Sequence, residues 1–277
     1  FSAASGSIMV IFFALAGFVF LITQYFQFLK GYAPFSTGLR ILPVATCIAV
    51  GSLVGVRLAV GVGNKAVIAT GLFLVGVSFA WVSTASTATP YIEIVGQMVL
   101  AGLGMGLVTA PATEAIMGVV PKEKAGIGSA VNDATRELGA TLGVAIIGSV
   151  YASLYASGIQ DAAGTLPAPA LDTASESIGA ALAVSNQLGP AGRPLLDASQ
   201  TAFFDGFQLG CLVAAGVLIA GAAFAARYLP SRPTTTTAPE PQRVRAPALE
   251  TASTAVAAGL PGCCWDREPA TTPATVN

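Results

Sequence analysis

Histidine is absent from the 277 residues. That excludes a hydroxyl nucleophile activated by imidazole, a histidine-ligated metal and a histidine proton relay within this chain. Cysteine is scarce: Cys47 and Cys211 sit in apolar runs, and Cys263 and Cys264 are adjacent in a polar stretch. None of these spacings suits a zinc site or a disulfide framework, so no metal is expected. Charge is scarce too. Asp, Glu, Lys and Arg make up 10% of the residues, whereas soluble domains carry about 25%. The net charge is -1 and no basic patch stands out, so no nucleic-acid partner is expected. Without histidine, a Ser-Lys motif or a carboxylate pair of catalytic spacing, no enzyme and no cofactor are expected.

What the chain has instead is apolar length. Hydrophobic residues make up 54%, and the mean hydropathy is +0.73. The expected fold class is all-α: a polytopic membrane protein with lipid as its surroundings. Six apolar runs, at about 7–28, 38–60, 66–82, 91–119, 127–155 and 203–228, suffice to cross the bilayer, whose hydrocarbon is about 30 Å thick. Pro43 falls in the first turns of the second run, where a missing amide donor is tolerated. Residues 160–202 form a polar loop, within which 173–188 has the apolar spacing of one amphipathic surface helix. Residues 231–277, rich in Thr, Pro and Ala, are expected to be a disordered tail beyond a 1–230 membrane domain.

Six spans place both ends on one side. The connections holding Lys65, Lys122, Lys124, Arg227 and Arg232 are richer in basic residues than the opposite set, with Lys30, Arg40 and Arg193. The positive-inside rule makes the first set, and both ends, cytoplasmic. The expected location is the cell membrane.

The stretch 102–143 organises the chain: the inner end of one span, the charged turn Pro121-Lys122-Glu123-Lys124, and the start of the next. Ionisable residues within a bilayer usually face a bundle interior or a cavity. Here they are Glu114 before the turn, then Asp133, Arg136 and Glu137 after it, with the polar Asn132 among them. Arg136 lies roughly 15 Å inside its span at about 1.5 Å per residue. An Asp133–Arg136 pair fixing helix packing and a cavity role for Asn132 and Arg136 both fit. A carboxylate held in low dielectric takes up a proton more readily, so Glu114 is a candidate for proton handling. Pairing of Glu114 with Lys122 or Lys124 is the alternative. Gln24, Gln27 and Gln97 are candidate cavity-lining residues, and Tyr25 suits either a cavity or an interfacial anchor. Gly51-x-x-x-Gly55 and the run Gly102, Gly104 and Gly106 suit close helix packing.

The order of these residues resembles the C-terminal half of a major facilitator superfamily transporter, within the fourteen-helix drug:proton antiporter family. Three local matches carry the resemblance. Gln24-Tyr25-Phe26-Gln27, Gly31-Tyr32-Ala33-Pro34, Gly38-Leu39 and Leu42-Pro43 are similar to the family's ninth helix, outer loop and tenth helix. Gly55, Arg57, Gly63 and Lys65 resemble a remnant of the inner-loop motif, with Val60 and Gly61 where that motif has an Asp and a basic residue. Asn132, Arg136, Leu138-Gly139 and Gly143 are similar to its thirteenth helix. The resemblance implies half of a bundle exporting small hydrophobic or amphipathic compounds in exchange for protons, by alternating access. It implies preceding helices as partners, which carry the family's antiport signature; the chain reads as a C-terminal piece of a longer protein. A truncated remnant, or a structural membrane protein, is the alternative. The DNA upstream of Phe1 separates the two.

Overall fold

The computed structural model describes residues 2–161 and 168–229, and these contain helices and no strand. Eight α-helices succeed one another among them: α1 (Ser2–Gln24), α2 (Pro34–Val62), α3 (Asn64–Val82), α4 (Tyr91–Met117), α5 (Ala125–Asp161), α6 (Ala168–Glu176), α7 (Ile178–Leu188) and α8 (Arg193–Tyr228). Sparse charge and the dense Ala, Leu, Val and Ile content of α1–α5 and α8 make these six elements long and apolar enough to cross a membrane. In such a setting the helix is favoured because it satisfies its own backbone polar groups. The expected tail, 231–277, lies outside the described residues.

Several boundaries depart from the periodicity reading. Pro34 occupies the first turn of α2, so that helix starts earlier and Pro43 lies in its interior. The amphipathic stretch 173–188 is not one helix but parts of two. Ser177 is extended (φ -167°, ψ 157°) and its side-chain oxygen accepts from the Ala180 amide at 3.2 Å, capping α7. α8 begins at Arg193 with Pro194 in its first turn, ahead of the apolar run that signals the span. At Gly63 the chain turns from α2 into α3 with φ 98°, a backbone geometry open to glycine.

Helix α4 lies between α2 and α3; α1 packs on α5, α8 and α4, and α8 joins α3 to α5. Glycines set the closeness of these contacts. A methyl group on Gly102 would sit 2.6 Å from the Val44 carbonyl oxygen of α2, and one on Gly104 would sit 2.7 Å from the Gly71 carbonyl oxygen of α3. Gly139 and Gly143 of α5 would meet the carbonyls of Met9 and Phe13 of α1, and Gly17 would meet Ile147. The glycine run of α4 is therefore a packing surface on two sides. Gly106→Ala, which drives a methyl into the Ile48–Ser52 backbone, is expected to destabilise the bundle by about 1–3 kcal/mol. Gly216→Ala has open space around it and is expected to be tolerated; thermal unfolding of the two purified variants makes the comparison.

The end of α1 widens into a π-helical turn at Tyr25–Leu29, which lets the adjacent Tyr25 and Phe26 both turn inward, at 1% and 0% exposure. Tyr25 is thus neither an interfacial anchor nor a cavity wall. Its hydroxyl donates to the Ser86 carbonyl at 2.9 Å, and its ring packs on Phe207 and Phe204. Lys30 donates from Nζ to the carbonyls of Thr87 (2.8 Å) and Thr89 (3.0 Å), and the Arg40 guanidinium lies 4.0 Å from the Tyr32 ring centre. This end of the bundle is closed by aromatic packing and by clamped loop carbonyls.

Candidate functional site

The opposite end is open. The last turns of α4 and the first turns of α5 approach each other little, and between them lies a cleft of 430 Å³ lined by Thr109, Ala110, Thr113, Glu114, Met117 and Arg136. Pro111 stands in the interior of α4 at this level. Its missing amide leaves a carbonyl one turn earlier without its helical donor and favours a bend there. The Thr113 hydroxyl donates to the Thr109 carbonyl at 2.8 Å, which leaves its lone pairs free to accept.

Arg136 uses that acceptor. From α5 its Nη2 donates to Thr113 Oγ1 of α4 at 3.1 Å, and the guanidinium lies 5.2 Å from the centre of the Phe12 ring of α1. One side chain thus joins three helices. Its Nε is buried and unpaired, and no ion pair forms among the described residues. The structural pairing with Asp133 is therefore absent. Asp133 and Glu137 are exposed on α5 and neither lines the cleft. Glu114 is exposed at the cleft wall beside Thr113. A cation delocalised over a planar fork, two hydroxyls, a carboxylate and the apolar side chains of Ala110 and Met117 line one cleft and can together bind polar and apolar parts of one small molecule.

The structure thus brings Glu114 and Arg136 together and sends the other candidates elsewhere. Asn132, 5% exposed, is one turn before Arg136 on the same face of α5 but does not line the cleft. Gln97 is 1% exposed within the α3–α4 contact, where its Nε2 donates to the Trp81 carbonyl at 3.3 Å and its backbone carbonyl accepts from the Ser78 hydroxyl at 2.8 Å. Gln24 and Gln27 are half-buried at the closed end of α1. Gly55 packs on Leu107 and Pro111 of α4, Arg57 is exposed, and Gly63 and Lys65 form the tight α2–α3 turn. The residues that sequence reading missed are Phe12, Thr109 and Thr113. The four-residue spacing of the two threonines, one position before Glu114, was the available signal.

Six membrane-length helices, with a cleft between α4 and α5 that carries one cation and one carboxylate, define a multi-pass membrane protein. Comparison with known proteins narrows the class. The chain is 33% identical over 210 residues to the multidrug efflux pump LfrA of Mycolicibacterium smegmatis, covering 76% of this chain and 42% of that protein. It is 33% identical over 190 residues to the methyl viologen resistance protein SmvA of Salmonella typhimurium, covering 68% of this chain and 38% of that protein. It is 30% identical over 141 residues to the methylenomycin A resistance protein of Streptomyces coelicolor, covering 51% of this chain and 30% of that protein. No family model matches the chain. Its homologues are drug efflux and drug resistance proteins of the major facilitator superfamily. It spans 42% or less of the length of these three relatives.

Proposed function

We propose that this chain is the C-terminal six-helix part of a fourteen-helix proton-coupled exporter of small hydrophobic or amphipathic compounds. The observation that carries the reading is the Arg136–Thr113–Glu114 cleft, set in a chain homologous to efflux proteins. Alternating access would rock this body against the preceding helices around a site between them. The faces of α2 and α5 suit that role, since only 17% and 28% of their most apolar stretches are buried within this chain. Preceding helices and lipid would cover them, while substrate and protons would enter the cleft.

The complete transporter is expected to protect a drug-sensitive host against organic cations such as methyl viologen, the compound in the name of one relative. Equal sensitivity with the transporter and with an empty vector, at confirmed membrane expression, would reject export of that class.

In the proposed orientation both ends of the segment and the Lys65 and Lys122–Lys124 turns are cytoplasmic, from the basic-residue bias. Glu123 and Gln187 are both exposed and lie near opposite ends of the bundle. In intact cells Gln187→Cys is expected to react with a membrane-impermeant thiol reagent, while Glu123→Cys reacts only after permeabilisation. The reverse pattern would invert the topology.

A further inference from the structure

Three contacts fix the register of α1 against α5. Gly139 faces Met9, Gly143 faces Phe13 and Gly17 faces Ile147, so the two helices run in the same direction with a constant offset. Followed one turn back from Gly139, the seam reaches Ser5 on α1 and Arg136 on α5; a second turn back on α5 reaches Asn132. The seam changes character there. Ser5 Oγ, Asn132 Oδ1 and Arg136 Nε are all buried, and none has a hydrogen-bond partner. Folded proteins leave few buried polar atoms unpaired, and the cost is greatest for a charged group. The register places these three residues within two turns of one seam, and the chemistry of their unpaired atoms specifies the kind of occupant that would join them. Arg136 Nε can only donate, Asn132 Oδ1 can only accept, and a serine hydroxyl does either. A water molecule satisfies all three, since it accepts and donates together.

We propose that Ser5 and Asn132 hold bound water that accepts from Arg136 Nε and donates to Asn132 Oδ1. The water fixes the guanidinium plane, so that Nη2 reaches Thr113 across the Phe12 ring. Asn132 and Ser5 are then positioning residues for Arg136, acting from behind the cleft rather than in it. Only the transport consequence rests on the export reading; the water site itself does not.

The test compares Asn132→Leu with Asn132→Ser in the complete transporter. Leucine matches asparagine in size but removes the acceptor and expels the water, leaving Arg136 Nε and Ser5 Oγ unpaired. Serine keeps a hydroxyl and leaves room for water. Purified Asn132→Leu is expected to melt at least about 3 °C below wild type, with Asn132→Ser close to wild type. An unchanged or higher melting temperature for Asn132→Leu would show that the seam is dry and would overturn the proposal. For positioning, Asn132→Leu is expected to raise KM for export about tenfold, the scale of one hydrogen bond to a charged group. Maximal rate and membrane level should hold, and Asn132→Ser should restore KM. A melting loss with unchanged KM would refute the positioning role. If Arg136→Gln itself transports normally, the cleft reading fails, and the melting order of the two Asn132 variants still decides the water site.

Discussion

Arg136→Gln in the complete transporter is expected to reduce export about 100-fold while the protein reaches the membrane at its normal level. That factor corresponds to roughly 3 kcal/mol, the upper range for hydrogen bonds made by a charged group. Arg136 is the sole cation lining the cleft among the described residues, and its Nη2 is tied to Thr113 at 3.1 Å. Glutamine is too short to span from α5 to α4 over the Phe12 ring, and it carries no charge. Folding should survive, because no described carboxylate is paired with Arg136 and none is orphaned by its loss. For the same reason, adding Asp133→Asn should restore nothing. Arg136→Lys keeps the charge but loses the planar fork, and should fall between. The measurement is substrate uptake into inverted membrane vesicles, normalised to the amount of protein. Wild-type rates in Arg136→Gln would reduce this contact to helix packing.

Glu114→Gln is expected to lower uptake driven by a pH gradient more than about tenfold, a loss of roughly 1.4 kcal/mol or more, and to leave substrate exchange without a gradient nearly intact. A carboxamide has the shape of a carboxylate but cannot take up and release a proton. Glu114 is exposed at the cleft wall, next to the threonine that holds Arg136. Glu114→Gln removes the sole carboxylate lining the cleft among the described residues, so in the proposed exporter it tests whether coupling resides here. Proteoliposomes loaded with substrate separate the two readouts, since counterflow needs no proton movement. Normal gradient-driven uptake by Glu114→Gln would assign proton coupling to the preceding helices. Loss of both activities would make Glu114 a substrate contact instead.

Much of this protein was legible in the sequence because membrane insertion is decided locally. A run such as 7–28 is apolar whatever its neighbours do, so the six spans and the all-helical class followed from composition. The packing role of Gly102, Gly104 and Gly106 was also visible, since a missing side chain has the same meaning on any helix. Which polar residues meet was another matter. Asn132, Asp133 and Arg136 are near neighbours in sequence, yet one enters the α1–α5 seam, one points outward and one reaches the cleft. Gln97 looked like a cavity residue and is spent on the Trp81 carbonyl. These outcomes depend on how each helix is rotated and staggered against partners distant in the chain. That rotation is fixed by contacts such as Gly139 on Met9 and Gly104 on Gly71, where backbones meet and nothing can turn without a clash. The sequence by itself determined that the helices cross the membrane and that small residues join them. Only the tertiary structure decided that Arg136 of α5 meets Thr113 of α4 over Phe12 of α1, because side-chain direction is set by the register between helices.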